Sequence, residues 1–131
     1  MVQAASSGTP ANLPADLLEE PPSTPAVERQ IKELIVNEAF KHEVDPQLGL
    51  KIARCESQFR QVDVKTGEVL RGVHNPKDAG VFQINETFHL EDSKKLGFDI
   101  YTLEGNVGYA MYLLKKDGPR HWNWSKPCWG K

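Results

Sequence analysis

A chain of 131 residues, 39% hydrophobic and 26% charged, is one domain's worth and can bury about two-thirds of its unfolded surface around a single core. Its net charge of −2 lacks the basic balance that nucleic-acid binding requires, and no run of 18 apolar residues is present to span a membrane. Residues 1–24 carry Asp16, Glu19 and Glu20 with no Lys or Arg, which leaves 16 basic and 15 acidic residues in a nearly neutral remainder.

Five of the nine prolines fall within residues 1–25, among Ala, Ser and Thr. Such a stretch cannot bury enough apolar surface to offset chain entropy, so residues 1–24 are predicted to be a disordered linker or tail and residues 25–131 the folded domain. The N-terminus also lacks the basic and apolar regions of an intact signal peptide; a removed signal and export by another route both stay open.

Thr24 is a capping residue with Pro25 at the first helical position. Val27, Ile31, Leu34 and Ile35 then recur at helical spacing, which predicts a helix to about Lys41. Asp45 and Pro46 repeat the start signal, and Leu48, Ile52, Cys55 and Glu56 fall on one face of a second helix. From Gln61 to about Asn85 the helical period fails. There "VDVKTGEVLRGV" offers two β-prone runs around Lys65-Thr66-Gly67, a small hairpin, and "HNPKDAG" a turn-rich loop. Residues 86–97 fit a short helix, and Leu103 to Lys116 a longer one, with Val107, Ala110, Met111 and Leu114 apolar and Gly118-Pro119 as its stop.

Two cysteines, Cys55 and Cys128, cannot complete a four-ligand metal site and lack the CxxC spacing of a redox motif. They form either a disulfide or two reduced buried thiols. The tail "RHWNWSKPCWG" holds three tryptophans in eight positions; at least one closes the core, and a second can stack on a sugar. Trp122, Trp124, Tyr109 and Tyr112 are the aromatic candidates for such a groove.

Glu56 on an apolar face is the sharpest chemical feature. Burial disfavours the charged carboxylate, raises the pKa and keeps a proton available near neutral pH, as a general acid requires. The alternative is an ordinary ion pair with Arg54 or Arg60 at the helix end.

"ESQF" at residues 56–59, "GVFQIN" at residues 80–85 and, in part, "GNVGYAMYLL" at residues 105–114 together resemble the lysozyme-like superfamily, which includes soluble lytic transglycosylases and goose-type and c-type lysozymes. The resemblance runs from about residue 27 to the C-terminus. It implies an α+β, mostly α fold with a small β-hairpin beside the catalytic helix, and cleavage of the β-1,4 bond between N-acetylmuramic acid and N-acetylglucosamine in peptidoglycan. Carried over residue by residue, it implies Glu56 as general acid and base. Gln83, Asn85 and Asn106 would then lie at the bound glycan with Ser57 of the signature, beside the aromatic candidates Tyr112 and Trp124.

Asp78, two residues before Gly80, matches the second carboxylate of the c-type lysozymes, although Asp beside Gly in a loop is also a common turn-former. Transglycosylases manage with one Glu and leave a 1,6-anhydro product. The resemblance therefore implies a lytic transglycosylase, with a hydrolytic lysozyme using Asp78 and an inactive glycan-binding module as alternatives. A scaffold working through its acidic N-terminus is a further rival. No metal or organic cofactor is implied. The expected partner is peptidoglycan glycan strands, with no nucleic acid and no membrane span, and the expected state a monomer. A Cys55–Cys128 bridge would fasten the tail against the catalytic helix and fit an extracytoplasmic location, in the periplasm, cell envelope or secreted.

Overall fold

A computed structural model describes residues 24–131; the tail expected over residues 1–24 otherwise lies outside the described residues. The described chain is mostly helical with one small antiparallel sheet. In chain order it comprises α1 (Pro25–Lys41), α2 (Pro46–Ser57), β1 (Asp78–Ala79), β2 (Ile84–Asn85), α3 (Glu86–Lys95), α4 (Leu103–Asp117), a 3-10 segment (Gly118–Ser125) and the short α5 (Lys126–Trp129).

The start signals act as side-chain caps. Thr24 Oγ1 accepts from the Val27 amide at 3.3 Å, and Asp45 Oδ1 accepts from the Gln47 amide at 2.9 Å, each with proline entering the first turn. Ile31, Ile35 and Ala39 of α1 and Ile52 and Ala53 of α2 are buried, so the periodic faces meet as their spacing requires. Gly49 lies where these helices converge on α4: a Cβ there would stand 3.2 Å from both Ile35 Cγ2 and Met111 Cε.

Helix α4 is buried on nearly every side, from Gly105 through Met111 and again at Leu113 and Leu114. An amphipathic surface helix shows one apolar stripe; a helix closed off all round forms the axis of a core. Ile31, Ile35, Ile52, Val81, Phe82, Ile100, Tyr109 and Trp122 all belong to the same buried cluster as α4.

The hairpin expected within "VDVKTGEVLRGV" shrinks to a single antiparallel bridge, Val62 with Val69, around a turn that Asp63 closes by accepting from the Lys65 and Gly67 amides. The two-stranded sheet forms one loop later, with Asp78 opposite Asn85 and Ala79 opposite Ile84. Burial accounts for the shift. Val64 is exposed and Val62 and Val69 only half-buried, whereas Ala79 and Ile84 belong to the buried core.

Gly118 ends α4 with φ 70°, as its position predicts, and the chain then turns back through the 3-10 segment toward α2. There a disulfide joins Cys55 to Cys128. The alternative of two reduced thiols is therefore set aside.

Candidate active site

Helix α2 stops abruptly one residue beyond Glu56. Ser57 is its last residue, and Gln58 and Phe59 follow with φ of 56° and 60°, a left-handed pair unusual for residues with a Cβ. The break is held from both sides. Ser57 Oγ donates to the Ala53 carbonyl and accepts from the Arg60 amide, Arg60 Nε donates to the Ser57 carbonyl at 2.8 Å, and the Phe59 ring is buried. Glu56 is thereby presented sideways at a helix end and lines an open cleft of about 1220 Å³.

Gln83, Ile84 and Asn85 also line this cleft, and the segment Gly80–Asn85 that carries them is anchored by two buried amides. Asn106 Oδ1 accepts from the Phe82 amide at 2.9 Å, while its Nδ2 donates to the Ala79 and Ile100 carbonyls, both at 2.8 Å. Gln61 Oε1 accepts from the Val81 amide at 3.0 Å and its Nε2 donates to the Tyr101 carbonyl at 3.1 Å. Both amides press on Gly80, which has φ 77°; a Cβ there would come within 2.5 Å of Asn106 Nδ2 and 2.6 Å of Gln61 Oε1, so only glycine fits.

Asp78 shares the cleft with Glu56. Asn85 Nδ2 donates to Asp78 Oδ1 at 2.9 Å, and Asn85 Oδ1 caps α3 through the Phe88 amide, so one side chain ties the second carboxylate to a helix start. Burial raises the Glu56 pKa above the ordinary glutamate value; the Ser125 hydrogen bond opposes this in part, and the negative charge of Asp78 adds to the rise. Burial also raises Asp78, against the Asn85 hydrogen bond that favours its ionised form. When Asp78 is ionised, its charge disfavours ionisation of Glu56. Among the described residues the hydrogen-bond partner of Glu56 is Ser125, whose Oγ donates to Glu56 Oε2; neither Arg54 nor Arg60 pairs with it.

Of the residues expected at a glycan, Gln83, Asn85 and Trp124 line this cleft. Gln83 spends its amide donors on the Gly80 carbonyl at 2.9 Å and the Leu70 carbonyl at 3.5 Å. Trp124 is 89% exposed at the rim. Three expectations need correction. Ser57 is buried beneath the helix end, with its hydroxyl committed to the backbone, and Asn106 is 0% exposed and saturated by three backbone groups; neither can reach a ligand in the cleft. Tyr112 stacks on Tyr109 at 5.8 Å between centroids and lines a smaller recess of about 420 Å³ that adjoins the cleft across His89, Leu113 and His121. Tyr109 itself is core, with burial pushing its hydroxyl up to about 12, and Trp122 is 4% exposed at the cleft floor.

The structure also adds residues that periodicity does not reveal. Val73 and Phe88, 95% and 76% exposed, are cleft-lining apolar groups, and His74, His89 and His121 bring imidazoles to the same cleft. Ser125 is the partner of Glu56 across 69 residues, and its only sequence signal is nearness to Cys128. Among the described residues no three His, Cys, Asp or Glu side chains gather as a metal site, and no helix is long and apolar enough to cross a membrane. No family model matches the chain, and no curated protein or solved structure matches it.

Proposed function

We propose that this protein cleaves peptidoglycan glycan strands, with Glu56 as the general acid and base, in a domain of lysozyme-like fold acting outside the cytoplasm. The observation that carries the reading is a half-buried glutamate of raised pKa that shares an open cleft with a second carboxylate and with exposed apolar groups. The sequence motifs around residues 56–59 and 80–85 support it from a separate direction, because Glu56 of the first and Gln83, Ile84 and Asn85 of the second line that cleft. A disulfide fits an oxidising compartment, where peptidoglycan lies.

In the first step protonated Glu56 gives its proton to the glycosidic oxygen, the bond from that oxygen to the muramyl C1 breaks, and positive charge develops on the sugar ring. The substrate's own N-acetyl group shields that charge, and anionic Asp78 adds electrostatic stabilisation. In the second step the Glu56 carboxylate takes the proton of the muramyl C6 hydroxyl as O6 bonds to C1. The enzyme returns to its starting protonation state with a 1,6-anhydro product, and no water is consumed.

A second reading is favoured by one observation, the shared cleft of Glu56 and Asp78. Two carboxylates are what hydrolysis uses, with water replacing the C6 hydroxyl. The test is mass spectrometry of soluble products from purified peptidoglycan incubated with wild type and with Glu56→Gln. Anhydro-muramyl ends from wild type alone mark a lytic transglycosylase, and reducing ends alone mark a lysozyme. No soluble fragment from folded wild type on several peptidoglycan types would reject catalysis and leave a glycan-binding module.

A further inference from the structure

We infer that Ser125 is a positioning residue for the Glu56 carboxyl, its hydroxyl turning between Glu56 and the Trp122 carbonyl as the glutamate loses and regains its proton. The inference rests on the proposed role of Glu56 and extends it to a residue outside the motifs that suggested that role.

The geometry is a matter of counting protons. Ser125 Oγ lies within hydrogen-bond reach of two acceptors, Glu56 Oε2 and the Trp122 carbonyl, the latter at 3.2 Å, and it has one hydrogen to give. When Glu56 is ionised, the hydroxyl donates to Oε2. When Glu56 is protonated, the carboxyl hydrogen donates to a lone pair of Oγ, and the serine hydrogen turns to the Trp122 carbonyl. That carbonyl also accepts from Trp129 Nε1 at 3.0 Å, so it retains a partner in both states. Each protonation state is satisfied, and the exchange moves a hydrogen about one C–O bond with no heavy atom displaced. A group that must act first as acid and then as base gains from this, since neither form strands a half-buried polar atom.

Three anchors hold Ser125 in place. The Cys55–Cys128 bridge joins the residue before Glu56 to one three positions beyond Ser125. The Trp122 indole is buried and donates to the Phe82 carbonyl at 2.8 Å, and Trp129 is buried and hydrogen-bonded back to Trp122. The other titratable groups of the cleft are Asp78 on β1, His74 in the preceding loop, His89 on α3 and His121 on the 3-10 segment; the Ser125 hydroxyl bonds to Glu56 and the Trp122 carbonyl and to none of these.

The test is an NMR titration of ¹³C-carboxyl-labelled glutamate, with the Glu56 signal assigned by its loss in Glu56→Gln, in wild type, Ser125→Ala and Ser125→Thr. Removing the hydroxyl costs the ionised form a charge-assisted bond and the protonated form only a weaker neutral one, so the Glu56 midpoint moves to higher pH in Ser125→Ala and returns in Ser125→Thr. On peptidoglycan, Ser125→Ala lowers kcat about tenfold with KM nearly unchanged, and the alkaline limb of the pH profile moves upward with the NMR midpoint; threonine restores both. Ser125→Gly is a second removal variant, should alanine perturb folding, with the same upward movement expected. A Glu56 midpoint unmoved in a folded removal variant overturns the inference, as does a kcat loss that is uniform across pH and not rescued by threonine. A wild type that releases nothing from peptidoglycan while the midpoint still moves would uphold the Ser125 coupling and reject the proposed activity alone.

Discussion

Trp122 and Trp124 lie two residues apart on one 3-10 segment and differ sharply in burial: Trp122 is 4% exposed and bonded to the Phe82 carbonyl, whereas Trp124 is 89% exposed at the rim of the cleft. The chain turns between them because Trp122 leaves helical geometry, with φ −112° and ψ 23°. Their substitutions should therefore separate. Trp122→Ala is expected to destabilise the domain by about 3–5 kcal/mol. Trp124→Ala should leave stability within about 0.5 kcal/mol and weaken binding of glycan oligomers on the order of tenfold. Denaturant melts and calorimetric titration with soluble glycan fragments measure the two effects; equal stability losses would contradict the division.

Glu56→Gln is expected to lower cleavage by at least about 10²-fold while raising the melting temperature at neutral pH. The sign follows from the raised pKa. A carboxyl that binds its proton more tightly when folded contributes stability at low pH, and that contribution is lost as pH rises from the ordinary glutamate value through the raised folded value. Glutamine keeps an acceptor for Ser125 and has no charge to bury. The melting-temperature gap between variant and wild type should widen across that pH window, and a gap independent of pH would count against a buried, elevated carboxyl.

Asp78→Asn keeps the acceptor that Asn85 uses and removes one negative charge from the cleft. The alkaline limb of cleavage should then move to lower pH, opposite to Ser125→Ala, because Glu56 no longer feels a neighbouring anion. For transglycosylation we expect about a tenfold loss of kcat, from weaker stabilisation of the sugar cation. A loss beyond about a thousandfold, with reducing-end products, would instead make Asp78 the nucleophile.

Cys55→Ser with Cys128→Ser removes a cross-link between residues 73 apart in sequence. Loop-closure entropy puts the loss at about 4 kcal/mol, on the order of 15 °C in melting temperature for a domain of this size. Thermal scans in the presence and absence of reductant on wild type provide the same comparison without mutation. An unchanged melting temperature would mean that the tail docks through Trp122 and Trp129 alone.

Asn106→Ala strips three buried backbone groups of their partner and should destabilise by about 3 kcal/mol or more. Because Asn106 never meets the cleft, KM measured on the protein that remains folded should be unchanged. A raised KM with intact stability would return Asn106 to the ligand.

The four longer helices were legible in the sequence, and so was the place of Glu56 on the second; the 3-10 segment and α5 of the tail were not. Thr24-Pro25 and Asp45-Pro46 begin helices because their side chains can reach the first free amides, and Gly118 ends one because it can take a positive φ. The position of the sheet was not legible. The Val-rich run around Lys65 has the stronger local preference, yet pairing extends where the core covers the strands, at Ala79 and Ile84.

The polar residues divide along the same line. Spacing alone puts Glu56 on an apolar face, since helical periodicity is a property of neighbours three and four apart. Whether Asn106, Ser57 or Ser125 faces a ligand, the core or the carboxyl depends on what arrives from elsewhere in the chain: the Phe82 amide meets Asn106 across 24 residues, and Ser125 meets Glu56 across 69. Short-range order, set by caps, periodicity and left-handed glycines, was determined by the sequence itself. The roles of individual polar groups were decided only when the packing of α4 and the closing of the tail brought distant partners within hydrogen-bond distance, because a buried polar atom takes whichever partner the fold places beside it.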